Sequence, residues 1–123
     1  NKEIIPWLRK GKWVISDRYF YSCLANLRAR GYRDDRWIYE IAGYIPKPDI
    51  AFFLDVGVKE AIKRVHMREE EKNKYIDIGL QYSLRDEYLK IAKDVGGIVI
   101  SGEQPINLEK AYIKRIVDEV LDL

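Results

Sequence analysis

Asp17 and Arg18 close a short apolar run, Trp13-Val14-Ile15, reached through Ser16, and Tyr19 and Ser22 follow within about one helical turn. An apolar segment that ends in an acid and an arginine is how a buried parallel strand brings charge to the edge of a phosphate site. A carboxylate there orients Mg²⁺ through bound water or holds the neighbouring arginine. A guanidinium, planar and always charged, can bridge two phosphates. Phosphoryl transfer asks the protein for little else than in-line positioning and cations around the moving group. The plain alternative is a capping pair, with Asp17 on the following helix and Arg18 in solvent. No Gly-x-x-x-x-Gly-Lys-Ser/Thr loop, the usual companion of such a strand, occurs in the sequence.

Three later stretches stand in register with the first. Pro46-Lys47-Pro48-Asp49 precedes the apolar run 50–56, the helix beginning Glu60-Ala61-Ile62-Lys63-Arg64 follows, and Ser101-Gly102-Glu103-Gln104-Pro105-Ile106 closes the last strand. Together with Asp-Arg-Tyr-x-x-Ser, these resemble the thymidylate kinase family from its middle to its C-terminus. The resemblance implies ATP-dependent phosphorylation of dTMP to dTDP with Mg²⁺ as cofactor. It implies a three-layer, P-loop NTPase-like α/β fold with a parallel sheet of order 2-3-1-4-5, of which this chain supplies strands 3, 4 and 5. Residues 1–123 then form a single domain, the C-terminal portion of a nucleoside monophosphate kinase, which needs an N-terminal P-loop segment to act. The absent strand 1 would leave a gap between strands 3 and 4, so Asn1 is expected not to be the biological N-terminus, or a separate segment fills the gap.

The resemblance also assigns residues. It gives Asp17, Arg18, Arg64 and Arg68 catalytic roles, with Asp17 on the metal through water. It puts Arg18, Tyr19, Ser22, Cys23, Asn26 and Tyr75 around the nucleoside monophosphate, with Tyr75 reaching the deoxyribose. Arg64, Arg68, Glu103, Gln104 and Pro105 fall at the ATP site, the last three beside the adenine, and a lid falls at about 66–79. Asn26 departs from the family, which places an aromatic residue there; Lys74 and Ile76 depart from a common arginine and acid. Asn26 therefore favours the alternative of a related kinase for another nucleoside monophosphate or a deoxynucleoside. A non-catalytic, kinase-like nucleotide-binding protein is the third reading.

Each residue also has a plain reading. Ser22 suits a helix N-cap. Arg64 and Arg68, four apart, share one side of a 58–70 helix and aim at one anion, or sit on a solvated helix end diluted by Glu69-Glu70-Glu71. Tyr75 either meets a sugar or packs on the 80–95 helix. His66 reads as a surface residue, Asp55 as a turn or cap, and Trp7, Trp13 and Trp37 as core or rim packing.

The elements that must position these groups alternate between helix and strand, which means an α/β protein with a parallel sheet. A helix end is expected over 2–10 with Gly11 as its stop, a buried strand at Trp13–Ser16, and helices at 22–30 and 35–44. The unbroken apolar run 50–56 reads as a parallel strand covered on both faces. Stripes at helical spacing mark 58–70, 80–95 and a final helix capped by Asn107, with a third strand at 98–100.

Composition adds limits. Net charge is +2, but residues 1–36 carry nine Lys/Arg against four Asp/Glu, a surplus that suits phosphorylated ligands or a solvated basic surface. The single cysteine excludes a disulfide framework. No basic run or motif asks for a nucleic-acid polymer, and no apolar run reaches membrane-spanning length. A cytoplasmic protein is expected, and the family resemblance implies a homodimer, for which Leu24, Leu27, Trp37 and Ile41 offer apolar surface.

Overall fold

The computed structural model describes residues 2–122. In chain order they form α1 (Ile4–Arg9), α2 (Phe20–Ala29), α3 (Arg36–Ala42), β1 (Phe52–Asp55), α4 (Val58–Met67), α5 (Ile78–Asp94), β2 (Ile98–Ser101) and α6 (Ile106–Val120). The chain divides into two compact units, Asn1–Pro48 and Asp49–Leu123.

In the first unit, α1 begins early enough that Pro6 falls in its first turn, where a missing N–H costs nothing. Gly11, at φ +71°, ends it. α2 packs on α3, and Leu24, Ala25 and Ile38 are buried. Arg28 pins the two helices together, donating to Asp35 Oδ2 at 2.9 Å and to the Tyr39 hydroxyl at 2.8 Å.

The expected buried strand at Trp13–Ser16 is not formed. Residues 12–16 carry no strand, with Trp13 65% and Ile15 95% exposed. A strand exists only with a ladder partner, and among the described residues of this unit there is no strand for it to pair with. Of the core-or-rim reading of the tryptophans, the core half is corrected: Trp7, Trp13 and Trp37 are all exposed.

The second unit is α/β. β1 and β2 form a two-stranded parallel sheet with Phe52 opposite Ile98 and Asp55 opposite Ser101. α4 and α5 make the connection that parallel strands require. Ile91, Ala92 and Ile100 are buried, with Val58 at the start of α4. Gly96, at φ +66°, ends α5, and at Gly97 a Cβ would lie 2.4 Å from the Phe53 ring, so the chain turns under Phe53 only as glycine. The run 50–56 is a strand over four residues only, and Leu54 stays 59% exposed. Cover on both faces was expected; α5 packs on the face that carries Asp55, and Leu54 points to the opposite face, which stays open.

α6 shows one further difference. Its N-cap position is Pro105, whose carbonyl accepts from Leu108 and Glu109 amides, so Asn107 lies inside the first turn and does not cap. Among the described residues, no helix is long and apolar enough to cross a membrane.

Candidate functional site

In the first unit, the stretch leading into α2 gathers Asp17, Arg18, Tyr19, Ser22, Cys23 and Asn26. Arg18 has φ +66°, left-handed backbone that a side chain other than glycine's rarely adopts. The Ser16 hydroxyl donates to the Arg18 carbonyl at 2.7 Å. Tyr19 occupies the N-cap position of α2 with extended backbone and no side-chain cap. Its phenol instead donates to the Pro46 carbonyl, and burial pushes that phenol's pKa up. Phe20 and Tyr21 stack in a tilted pair with centroids 4.4 Å apart.

Ser22 and Cys23 lie in the first turn of α2, so Ser22 is not its cap. Asn26 donates from its side-chain amide to the Ser22 carbonyl at 2.9 Å, one turn back. Cys23 is a free, exposed thiol. Asp17 and Arg18 are exposed, and neither side chain has a hydrogen bond or ion pair among the described residues.

In the second unit, the residues around the sheet's C-terminal end are tied together. Arg64 Nε donates to Glu60 at 3.1 Å and its second nitrogen to the Gly102 carbonyl at 3.0 Å, which joins α4 to the loop after β2. In that loop the Glu103 carboxylate accepts from the Gly57 amide at 3.4 Å, just ahead of α4, and Gln104 donates to the Ser101 carbonyl at 3.0 Å. Pro105 leads into α6. Asp55, at the end of β1, accepts both nitrogens of Arg85 on α5, at 2.8 and 2.9 Å.

α4 ends at Met67, short of the expected 58–70, and Arg68 is its C-cap, with ψ 131° turning the chain that follows away from the helix. Arg68 pairs loosely with Glu71, at 3.5 Å. The segment 68–77 is two successive turns, closed by amide bonds from Glu71 to the Arg68 carbonyl and from Lys74 to the Glu71 carbonyl. His66 is exposed, as read from the sequence, and its ring contacts the Lys74 carbonyl at 3.2 Å across the base of this segment. Asp77 then caps α5 through the Leu80 amide. Tyr75 stands at the segment's end, 86% exposed, so it does not pack on α5. Among the described residues no cluster of three potential metal ligands exists.

A family model described as thymidylate kinase matches residues 1–113. The chain belongs to the thymidylate kinase family. It is 44% identical over 95 residues to the probable thymidylate kinase of Pyrococcus horikoshii, covering 76% of this chain and 45% of that protein. Against the probable thymidylate kinase of Thermococcus kodakarensis it is 44% identical over 93 residues, with 76% and 45% covered. Against that of Staphylothermus marinus it is 31% identical over 119 residues, with 97% and 59% covered. The chain thus spans about half the length of the curated relatives it matches.

Within this thymidylate kinase family chain, Arg85 is the interacting residue that sequence reasoning passed over. Its signal was available: Leu84, Tyr88 and Ile91 mark the inward stripe of α5, and Arg85 borders it. Asp55 is correspondingly an ion-pair partner rather than a turn or cap residue. The hydrogen bonds from Arg85 hold the Asp55 carboxyl below the usual carboxylate range. A carboxyl with a lowered native pKa contributes stability above its unfolded pKa of about 3.9 and loses it as pH falls through the native value. Asp55→Asn should therefore destabilise the protein at pH 7 by about 1 kcal/mol, since the pair is only partly buried. That gap should close as pH drops below about 4. Urea midpoints at the two pH values measure it; an equal gap at both would mean that the carboxylate's charge is not what stabilises this corner.

Proposed function

We propose that this chain carries the acceptor-side and lid parts of an enzyme that phosphorylates dTMP to dTDP with ATP. The observation that carries the reading is Arg18: an exposed guanidinium with no partner among the described residues, on left-handed backbone, directly after an Asp17 that is likewise unpaired among them. Family membership over residues 1–113 gives that arrangement its chemical sense.

Arg18 spans the acceptor phosphate and the group in transit, and its charge offsets the negative charge that spreads over the transferring oxygens. A lone carboxylate fits Mg²⁺, which keeps most of its waters and takes its other oxygens from phosphates, so Asp17 would hold it through water. When bound, that ion supplies charge neutralisation between the phosphates. Ser22, Cys23 and Asn26 line the acceptor from α2, and Tyr75 offers a phenol to the sugar hydroxyl. Arg64 and Arg68 stand toward the ATP phosphates, and the Glu103-Gln104-Pro105 loop, which Arg64 grips through Gly102, lies along the adenine. The segment 66–79 serves as the lid.

On this reading β1 and β2 are strands 4 and 5 of the order 2-3-1-4-5, a P-loop segment supplies strand 1, and Trp13–Ser16, which forms no strand here, becomes strand 3 only when such a partner pairs with it. The parallel pairing of β1 with β2 supports that placement. On this reading the protein is a cytoplasmic homodimer; the exposed Trp37 and Ile41 on α3 suit the dimer, whereas Leu24, expected to add to that surface, is buried within its own unit. Asn26, whose amide is turned back on Ser22, favours a second reading in which the acceptor is another nucleoside monophosphate or a deoxynucleoside.

The test is ADP release by the native full-length protein over a panel of nucleoside monophosphates and deoxynucleosides. Release stimulated most by dTMP supports the reading, and a different preferred acceptor supports the second. Indifference to every acceptor overturns both.

A further inference from the structure

Arg18 poses a physical question that its proposed role does not answer. Left-handed backbone is unfavourable for any residue with a Cβ, and glycine would adopt it freely. Arginine's own side chain returns nothing to the fold here, because it makes no bond among the described residues. Such a conformation persists only where the surroundings over-determine it.

Two side chains do so. The Ser16 hydroxyl, 2.7 Å from the Arg18 carbonyl, fixes the orientation of the peptide plane that follows Arg18. The Tyr19 phenol fixes the next residue by bonding to the carbonyl of Pro46, 27 residues along the chain. The acceptor carbonyl belongs to Pro46, whose ring limits φ and so narrows the conformations open to that segment. The left-handed residue is bracketed on both sides, and neither bracket uses the guanidinium.

We propose that Ser16 and Tyr19 are positioning residues, which hold the Arg18 backbone so that its guanidinium is aimed before phosphates arrive. Tyr19 then acts through Arg18 and not by touching the acceptor. The inference rests on the reading of Arg18 as the phosphate-bridging cation. A pre-set arginine raises the rate of the chemical step, because its placement need not be bought from binding energy during each turnover.

The experiment compares Ser16→Ala, Ser16→Thr, Tyr19→Phe and Arg18→Ala in the native full-length protein, with dTMP and Mg-ATP as substrates. Losing one modest hydrogen bond should lower kcat roughly three- to tenfold in Ser16→Ala and in Tyr19→Phe. The KM for ATP should not move, and Ser16→Thr, which keeps a hydroxyl, should recover the rate. A wild-type rate in Ser16→Ala and Tyr19→Phe, with Arg18→Ala crippled, overturns this inference and leaves the role of Arg18 standing. A wild-type rate in Arg18→Ala overturns the underlying reading and the inference with it. A readout independent of turnover is the amide-to-α-proton coupling of Arg18 in isotope-labelled protein, which reports φ. Movement toward the extended value in Ser16→Ala supports the inference; an unchanged coupling overturns it.

Discussion

Arg18→Ala should lower kcat for dTMP phosphorylation by roughly 10²–10³-fold, the usual cost of removing one preorganised donor from a developing negative charge. Stability should change by less than about 0.5 kcal/mol, as for other exposed side chains without partners. The two halves of this expectation have one source. A guanidinium that pairs with nothing in the fold can be deleted without harm to the fold, so any large loss must come from the ligand side. Arg28 makes the contrast: its bonds to Asp35 and Tyr39 join α2 to α3, and its removal should unsettle structure. Arg18→Lys should fail nearly as badly as alanine, since a point charge lacks the planar fork that spans two phosphates. Steady-state kinetics beside thermal denaturation measure both halves. An unchanged kcat in Arg18→Ala would remove it from the mechanism.

Ile91→Ala should cost about 2–5 kcal/mol of stability, the range for deleting a large buried aliphatic side chain. Ile91 is fully buried on α5, and α5 is the helix that contacts α4, β1 and β2. α5 covers one face of the two-stranded sheet, and a sheet this small is not stable without such cover. The cavity cannot close easily, because Ala92 beside it is already small and Gly97 is wedged under Phe53. Chemical denaturation gives the value. A loss under about 1 kcal/mol would show that α5 can settle onto the sheet and that Ile91 is not its anchor.

The elements were legible where one local pattern was enough. The stripe of Leu84, Tyr88 and Ile91 marks α5, and Gly96 ends it at positive φ. Apolar runs mark β1 and β2, and the helices between them require the parallel pairing that is found. The boundaries that failed were those decided by partners. Trp13–Ser16 has strand composition and forms no strand, because pairing is a property of two segments. Arg68 continues the helical spacing of Arg64, yet α4 stops at Met67, since the acidic run that follows folds into turns. Asn107 has the right chemistry for a cap, but Pro105 cannot donate and starts the helix two residues sooner.

The sequence by itself determined what kind of chemistry this protein can host: an acid and an arginine side by side after an apolar run, charged residues after a helix, and a glycine-bearing loop after the last strand. Residue type and spacing are enough for that, because charge, donor count and helical periodicity are local. Only the tertiary structure decided which arginines are tied to other parts of the chain and which are not. Arg85 is committed to Asp55 across 30 residues and Arg64 to Gly102 across 38, while Arg18 is bracketed by Ser16 and Tyr19 and left unpaired. Ion pairing falls steeply with distance, and no spacing along a chain reveals which charges the fold will bring within 3 Å.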